Sequence, residues 1–104
     1  MKFVLTWTNR ANSDAEANLE SVESSQKLLT SGWQPGPEAT MREWLVRCDG
    51  SGGFAVLETD DPGALYRDIA TWNSWLSFEL HPVLDITEST PLLAQAIGTA
   101  KGAM

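Results

Sequence analysis

Apolar and polar residues alternate at the start of the chain, which is the pattern of a β-strand. Phe3, Leu5 and Trp7 take every second position, and polar residues separate them except at Val4. A period of two places such residues on one face of a sheet. Alternation, or a short apolar run between turn residues, predicts three further strands, at residues 40–47, 54–59 and 78–86. In the last of these, Pro82 cannot donate to a sheet ladder, so this strand lies at an edge or is bulged.

Helical spacing predicts a first helix over residues 14–31, between the first two strands. Its apolar positions are Leu19, Val22 and Leu29. Ser13 and Glu16 have the spacing of a capping box at its beginning, and Gly32 is placed to end it. The pattern therefore describes an amphipathic crossover helix.

A second helix is predicted over residues 62–73, after the third strand. Asp60 or Asp61 caps it, and Pro62 occupies its first position. Its buried stripe is Leu65, Ile69 and Trp72. The adjacent aspartates are the kind of pair that also serves acid–base catalysis, but their place directly before a proline favours a helix cap.

A third helix is predicted after the fourth strand, with Thr90 and Pro91 at its beginning. It carries the apolar residues Leu92, Leu93, Ala96 and Ile97. Gly98 and Gly102 lower its helix propensity, so we expect this helix to fray towards the end of the chain.

The segment CDGSGGFAVLETDD, residues 48–61, raises the question of a phosphate or calcium loop. The common phosphate-binding loops lead directly into a helix, whereas a strand follows here, and no lysine follows the glycines. A calcium loop that starts at Asp49 needs Gly at its sixth position and Glu at its twelfth, where this chain has Phe54 and Asp60. We therefore predict a hairpin turn in which positive φ angles are supplied by Gly50, Gly52 and Gly53.

The order β-α-β-β-α-β followed by one more helix is typical of an α+β, ferredoxin-like fold. It predicts a single domain over residues 1–104, with two helices on one face of a four-stranded antiparallel sheet. The other face carries Val4, Thr6 and, depending on register, Trp44 or Leu45, so it is partly apolar. A monomer would expose this patch. We therefore predict a homodimer in which two sheets face each other, the dimeric α+β barrel.

The charge balance argues against several classes of partner. Seven basic and fourteen acidic side chains give a net charge of -7, which repels phosphate backbones and anionic lipid. Neither nucleic acid nor a membrane surface is therefore expected as a partner. The apolar run at residues 3–5 is too short for a signal peptide or a spanning helix, and the single Cys48 cannot form an intramolecular disulfide. These features indicate a cytoplasmic protein.

Three segments, KFVLTWT, RCDGSGGFAVLETDDP and FELHPVLDI, resemble in their order and spacing a family of small bacterial proteins. That family is known only as a domain of unknown function within the dimeric α+β barrel superfamily. The resemblance spans nearly the whole chain, and its middle segment is the most specific. It implies the fold and dimerisation, and it implies no activity.

The wider superfamily implies a pocket between sheet and helices. It includes cofactor-independent monooxygenases, haem-degrading enzymes, polyketide cyclases and non-enzymatic ligand binders, and in the monooxygenase-like members Asn, Trp, Tyr or His lines the pocket. This chain has the matching composition, although TWNSWL does not align with the enzymes' catalytic motif. Large aromatics also serve cores and interfaces. The candidate ligand-binding residues are Trp7, Trp44, Tyr66, Trp72, Asn73 and Trp75.

His81 is the only imidazole, so it is the first candidate for a catalytic general base. The competing interpretation is a strand residue hydrogen-bonded to Glu79, Asp85 or a dimer neighbour. Strand parity with these acids would direct His81 into the barrel, away from the pocket. One His and one Cys per chain do not supply four zinc ligands, no second basic cluster is available for haem propionates, and no nucleophile elbow is present. We therefore predict no metal and no cofactor, and an inert Cys48.

Three hypotheses about function follow from these patterns. The first is a homodimer that binds an apolar or aromatic small molecule in a pocket between sheet and helices. The second is an enzyme, a cofactor-independent monooxygenase or a polyketide-cyclase-like protein, in which a base ionises a phenol or enol. The third is an assembly or interaction protein whose own side chains fill the pocket. Solid packing between sheet and helices would exclude the first two.

Overall fold

The computed structural model describes residues 1–10 and 14–104. The elements, in chain order, are β1 (Lys2–Asn9), α1 (Ala15–Thr30), β2 (Thr40–Val46), β3 (Gly52–Glu58), α2 (Pro62–Trp72), β4 (Leu76–Val83) and α3 (Ile86–Gly102). The strands form one antiparallel sheet in the order β2-β3-β1-β4. This confirms the predicted α+β, ferredoxin-like arrangement with an additional C-terminal helix. It also puts β4, with Pro82, at an edge of the sheet, where a proline is tolerated.

The strand register separates two faces of the sheet. Leu5 lies opposite Ala55, and Val4 lies opposite Val56. Because neighbouring residues of a strand point to opposite faces, these two pairs belong to different faces. Ala55 is only 1% exposed, so its face is the one that the helices cover. We call the other one, which carries Val4 and Val56, the open face.

A small hydrophobic core lies between β3 and α2. Its members are Ala55, Leu57, Ala64, Leu65 and Trp72. The helix α2 begins at Pro62, as the sequence predicts. Asp61 caps it, because its carboxylate accepts a hydrogen bond from the backbone N–H of Ala64 at 3.2 Å. Asp60 is not the cap, and it pairs instead with the amino group of Met1 at 2.9 Å.

The first helix forms as predicted, but its apolar side is not buried. Asp14 caps it by accepting a hydrogen bond from the N–H of Glu16 at 2.9 Å, and Gly32 follows its end at a φ of 94°. The predicted capping residue Ser13 lies outside the described residues. The stripe residues Leu19, Val22 and Leu29 remain 48–59% exposed. Helical spacing identifies the apolar side of α1, but no other element in the described part of the chain is packed closely against it.

The glycine-rich segment forms a hairpin turn, as predicted, but with different roles for its glycines. Gly50 has a φ of 73° and donates its N–H to the carbonyl of Arg47 at 2.9 Å. The positive φ predicted for Gly52 and Gly53 is wrong, because both residues belong to β3 and neither has a positive φ. Their lack of a side chain serves close packing instead. A Cβ on either would overlap backbone atoms of a neighbouring strand.

The third helix begins earlier than predicted, at Ile86, with Asp85 as its extended N-cap residue. The predicted beginning at Thr90 and Pro91 is wrong, because the helix already has one turn before them and Pro91 is its sixth residue. Pro91 lies inside α3, where it cannot donate to the preceding turn. The fourth strand shifts accordingly and covers Leu76–Val83.

An exposed ion pair joins the beginning of α3 to the sheet. The Lys2 ammonium lies 2.6 Å from the Asp85 carboxylate, and this hydrogen bond lowers the pKa of Asp85 below its ordinary value of 3.8. A lowered folded-state pKa means that the pair's contribution to stability is present above the ordinary pKa. That contribution is lost as the pH falls through the lowered value.

We predict that Lys2→Met raises the pKa of Asp85 towards its ordinary value, because the substitution removes the hydrogen bond and the positive charge together. Carboxyl carbon chemical shifts followed through an acid titration measure this directly. Lys101→Met is the control: it removes a lysine at the far end of α3 and should leave the pKa of Asp85 unchanged. An Asp85 titration that is the same in wild type and Lys2→Met would contradict the pairing.

Candidate functional site

An open groove of about 490 Å³ lies between the covered face of the sheet and the helices. We call it the tryptophan groove. Its walls come from β1, β2, β3, β4, α1, α2 and the loop after α1, and they include Trp7, Trp33, Trp44, Trp72, Leu57 and Phe78. The space under α1 is therefore not filled by core side chains. This explains why the α1 stripe remains exposed.

Three tryptophans stack edge to face along one wall of the groove. The ring of Trp33 lies 5.3 Å from that of Trp72 and 6.3 Å from that of Trp44, centroid to centroid, with interplanar angles of 83° and 69°. Such T-shaped pairs are the geometry that the aromatic quadrupole favours. Trp33 connects the other two rings, although it is not among the ligand-binding residues predicted from the sequence. It lies in the turn-rich segment SGWQPGPEA, where no periodic pattern draws attention to a single side chain.

The loop that carries Trp33 is held to α2 by polar contacts. The backbone N–H of Gly36 donates to the Asp68 carboxylate at 3.0 Å. The Arg67 guanidinium binds Glu38 at 2.9 Å, and this hydrogen bond lowers the pKa of Glu38. The Thr59 hydroxyl donates to the carbonyl of Glu38 at 2.9 Å. These bonds fix the groove wall on the side of α2.

The predicted ligand-binding residues fall into two groups. The groove walls include Trp7, Trp44 and Trp72. The other three lie outside those walls: Tyr66, Asn73 and Trp75. Tyr66 is 77% exposed on α2, and Asn73 accepts hydrogen bonds from the Arg10 guanidinium at 2.7 and 3.1 Å, through its backbone carbonyl and its side-chain oxygen.

Trp75 belongs to a second, smaller hollow of about 330 Å³, which also involves Arg10, Ser21 and Ser51. The ring of Trp75 packs against Trp72 at 5.8 Å, so it supports the groove wall from behind.

His81 lies on the open face of the sheet, opposite Val4. Its side chain is 57% exposed, and its Nε2 atom lies 3.3 Å from Glu79 Oε2. Strand parity therefore directs His81 away from the tryptophan groove, the direction predicted from the sequence. The general-base role of His81 stays a prediction.

Among residues 1–10 and 14–104, no group of three or more His, Cys, Asp or Glu side chains is arranged to hold a metal ion. Cys48 is exposed just after β2. No helix within the described part of the chain combines the length and the apolar composition that a membrane span requires.

Comparison with known proteins identifies the family of this chain. A search of curated proteins finds no match. A family model described as a domain of unknown function (DUF3303) matches residues 1–97. This match covers both the sheet and the residues that form the tryptophan groove. The chain therefore belongs to the family of this domain of unknown function.

Proposed function

We propose that this protein is a small homodimer that binds an apolar or aromatic small molecule in the tryptophan groove. The observation that carries the proposal is the groove itself. Its volume of about 490 Å³ falls within the roughly 300–1,000 Å³ of small-molecule sites, which are mostly apolar with a few polar groups. Four of the five tryptophans contribute to its walls. Aromatic faces favour flat, apolar ligands.

The open face supports the dimeric part of this proposal. The register places Leu45 opposite Phe54 on this face, and it places Trp44 opposite Ala55 on the covered one. Phe54 and Leu45 are 42% and 45% exposed. Together with Val4 and Val56 they form an apolar patch, and a second copy with the same patch would bury it face to face.

The polar groups of the groove support binding more than catalysis. Asp68 is the carboxylate in its wall, and its side chain is engaged by Gly36 and, at 3.5 Å, by Arg67. A catalytic base must reach its substrate with a free lone pair. His81, the candidate base, lies on the other face of the sheet. We therefore rank ligand binding above a monooxygenase or cyclase reaction.

We predict that Trp33→Ala weakens binding of the neutral fluorescent probe N-phenyl-1-naphthylamine by about tenfold or more. The substitution removes the ring that joins Trp44 and Trp72, and a ring contact together with its burial contributes on the order of 1–3 kcal/mol. Tyr66→Ala removes an aromatic ring outside the groove walls, at a position that is 77% exposed, and should retain most of the affinity. Probe fluorescence in a titration measures both.

Circular dichroism establishes that both variants keep their secondary structure. Absence of probe binding to the wild-type protein would count against the groove as a ligand site. Equal losses in the two variants would assign the probe to another surface.

A further inference from the structure

Across residues 1–10 and 14–104, no other element makes extensive contacts with the third helix. Every residue of α3 except Ser89 is exposed, including Leu93 at 61% and Ile97 at 47%. An isolated helix of this length is marginal in water, because nucleation is costly and only packing of an apolar side compensates. Pro91 further removes one backbone donor. The apolar side of α3 therefore needs a surface to cover it.

The shape of the molecule indicates that the described residues do not supply this surface. The extents along the principal axes are 60, 33 and 24 Å, and the excess of the longest matches a 17-residue helix, which spans about 25 Å. The radius of gyration is 18.2 Å, whereas a compact chain of this length has about 13 Å. The helix extends from the domain as an arm.

The composition of the arm suits an apolar partner surface. Ile86, Leu93, Ile97 and Ala100 fall on one side of α3 by helical periodicity. Its only charged residues are Glu88 and Lys101, so it carries no net charge. Docking this side would remove few charges from water, which keeps the desolvation cost small.

The tryptophan groove has the complementary property, because it is apolar and lacks a cover. Its outer rim follows the edge strand β2, where Trp44 is 44% and Val46 is 74% exposed. Sites for small molecules bury roughly 70–90% of the ligand, so an open groove of this kind would gain from a cover. Each copy thus has one uncovered arm and one uncovered groove, and a two-fold axis would satisfy both.

We propose that α3 of one copy covers the tryptophan groove of a second copy, so that each binding site is completed by its partner. The strands β4 and β2 form the two edges of the sheet. If two open faces pair about an axis parallel to the strands, β4 of one copy lies over β2 of the other. The arm begins at Ile86, three residues after Val83 ends β4. The register aligns Val83 with Lys2, Glu58 and Thr40, so the arm emerges at the Thr40 end of the partner's β2. From there it turns around this edge to reach the groove on the covered face.

The surface available agrees with a stable pair. A helix about 25 Å long and 10 Å wide covers roughly 250 Å² on each of two surfaces, and two arms bury roughly 1,000 Å². Specific interfaces bury about 1,200–2,000 Å², so the arms add substantially to the pairing of open faces. The inference rests on the proposed function for the identity of the groove, but the docking of α3 can be tested without any ligand.

Disulfide trapping tests the docking in a Cys48→Ser background. One chain carries Leu93→Cys on the arm and the other carries Val46→Cys on the groove rim, and the two are mixed, allowed to exchange and oxidised. We expect a band of twice the chain mass on a non-reducing denaturing gel, formed in the mixture and not by either chain alone. Gln95→Cys, on the opposite side of α3, is the matched control and should give little of this product.

Three outcomes would overturn the proposal. Efficient cross-linking of Leu93→Cys with itself would mean that two arms pair with each other. A third protein carries Leu93→Cys and Val46→Cys in the same chain. If its disulfide forms within one chain, at single-chain mass, α3 folds back onto its own groove. Equal trapping by Leu93→Cys and Gln95→Cys would mean random collision.

A second variant separates this inference from the proposed function. Leu93→Glu should weaken N-phenyl-1-naphthylamine binding by about tenfold, equal to 1.4 kcal/mol, whereas Gln95→Glu should not. Both positions are exposed in the single chain, so neither change should unfold it. If the probe binds equally to both variants and trapping fails, the docking of α3 is wrong and ligand binding stands. If trapping succeeds and no probe binds, the arm exchange stands and the ligand function is wrong.

Discussion

Gly53→Ala is expected to destabilise the protein by about 3 kcal/mol or more, the upper part of the range for overpacking in a closed site. A methyl group here would overlap the carbonyl oxygen of Leu45 on β2 and the ring of Trp7 from β1. The first is backbone and cannot rotate away. The pairings of β3 with β2 and with β1 would both have to shift, and the wall of the tryptophan groove would shift with them.

Thermal unfolding followed by circular dichroism measures this effect, and the midpoint should fall by about 10 °C or more. Gly98→Ala is the control, because a Cβ at Gly98 meets no atom within 4 Å. Alanine in a helix is favoured over glycine by roughly 0.5–1 kcal/mol. A Gly53→Ala protein as stable as Gly98→Ala would contradict the close packing of β1, β2 and β3 at this point.

The contrast between Gly50 and Gly53 shows how far the sequence alone carries the fold. Both glycines were predicted to serve the hairpin through positive φ angles, and only Gly50 does so. Strand periodicity is a local property, so the positions of the strands along the chain and the turn between β2 and β3 were predictable. The approach of Trp7 to Gly53 joins residues 46 positions apart, and no local pattern records it.

The candidate site was predictable in the same uneven way. Trp7, Trp44 and Trp72 lie in elements with clear periodicity, but the face of Trp44 depends on the register of β2, which only the structure gives. Trp33 lies in an irregular loop, where composition indicates a connection and not a wall of a groove. The helical spacing of Leu29 and its neighbours was correct, but periodicity gives only the side that is apolar. Whether another element packs against that side depends on the tertiary arrangement.

The largest effect on assembly is expected from Phe54→Glu, which should convert the proposed homodimer into a monomer. Phe54 is 42% exposed on the open face, between the Leu45 and Thr6 positions of the neighbouring strands. A carboxylate buried without a partner costs several kcal/mol, so the dissociation constant should rise by about 100-fold or more. Sedimentation at micromolar concentration should give about twice the chain mass of 11.4 kDa for the wild type and the single mass for the variant.

Concentration dependence gives an independent check on the same pairing. Dissociation is linked to unfolding, so the thermal midpoint of the wild type should rise with protein concentration, and that of Phe54→Glu should not. Tyr66→Glu adds the same charge at a 77% exposed position on α2 and should leave the dimer intact. A wild-type protein that sediments as a folded monomer at micromolar concentration would contradict the pairing of open faces. Because β4 reaches the rim of a second groove only through that pairing, such a result would also remove the route proposed for α3.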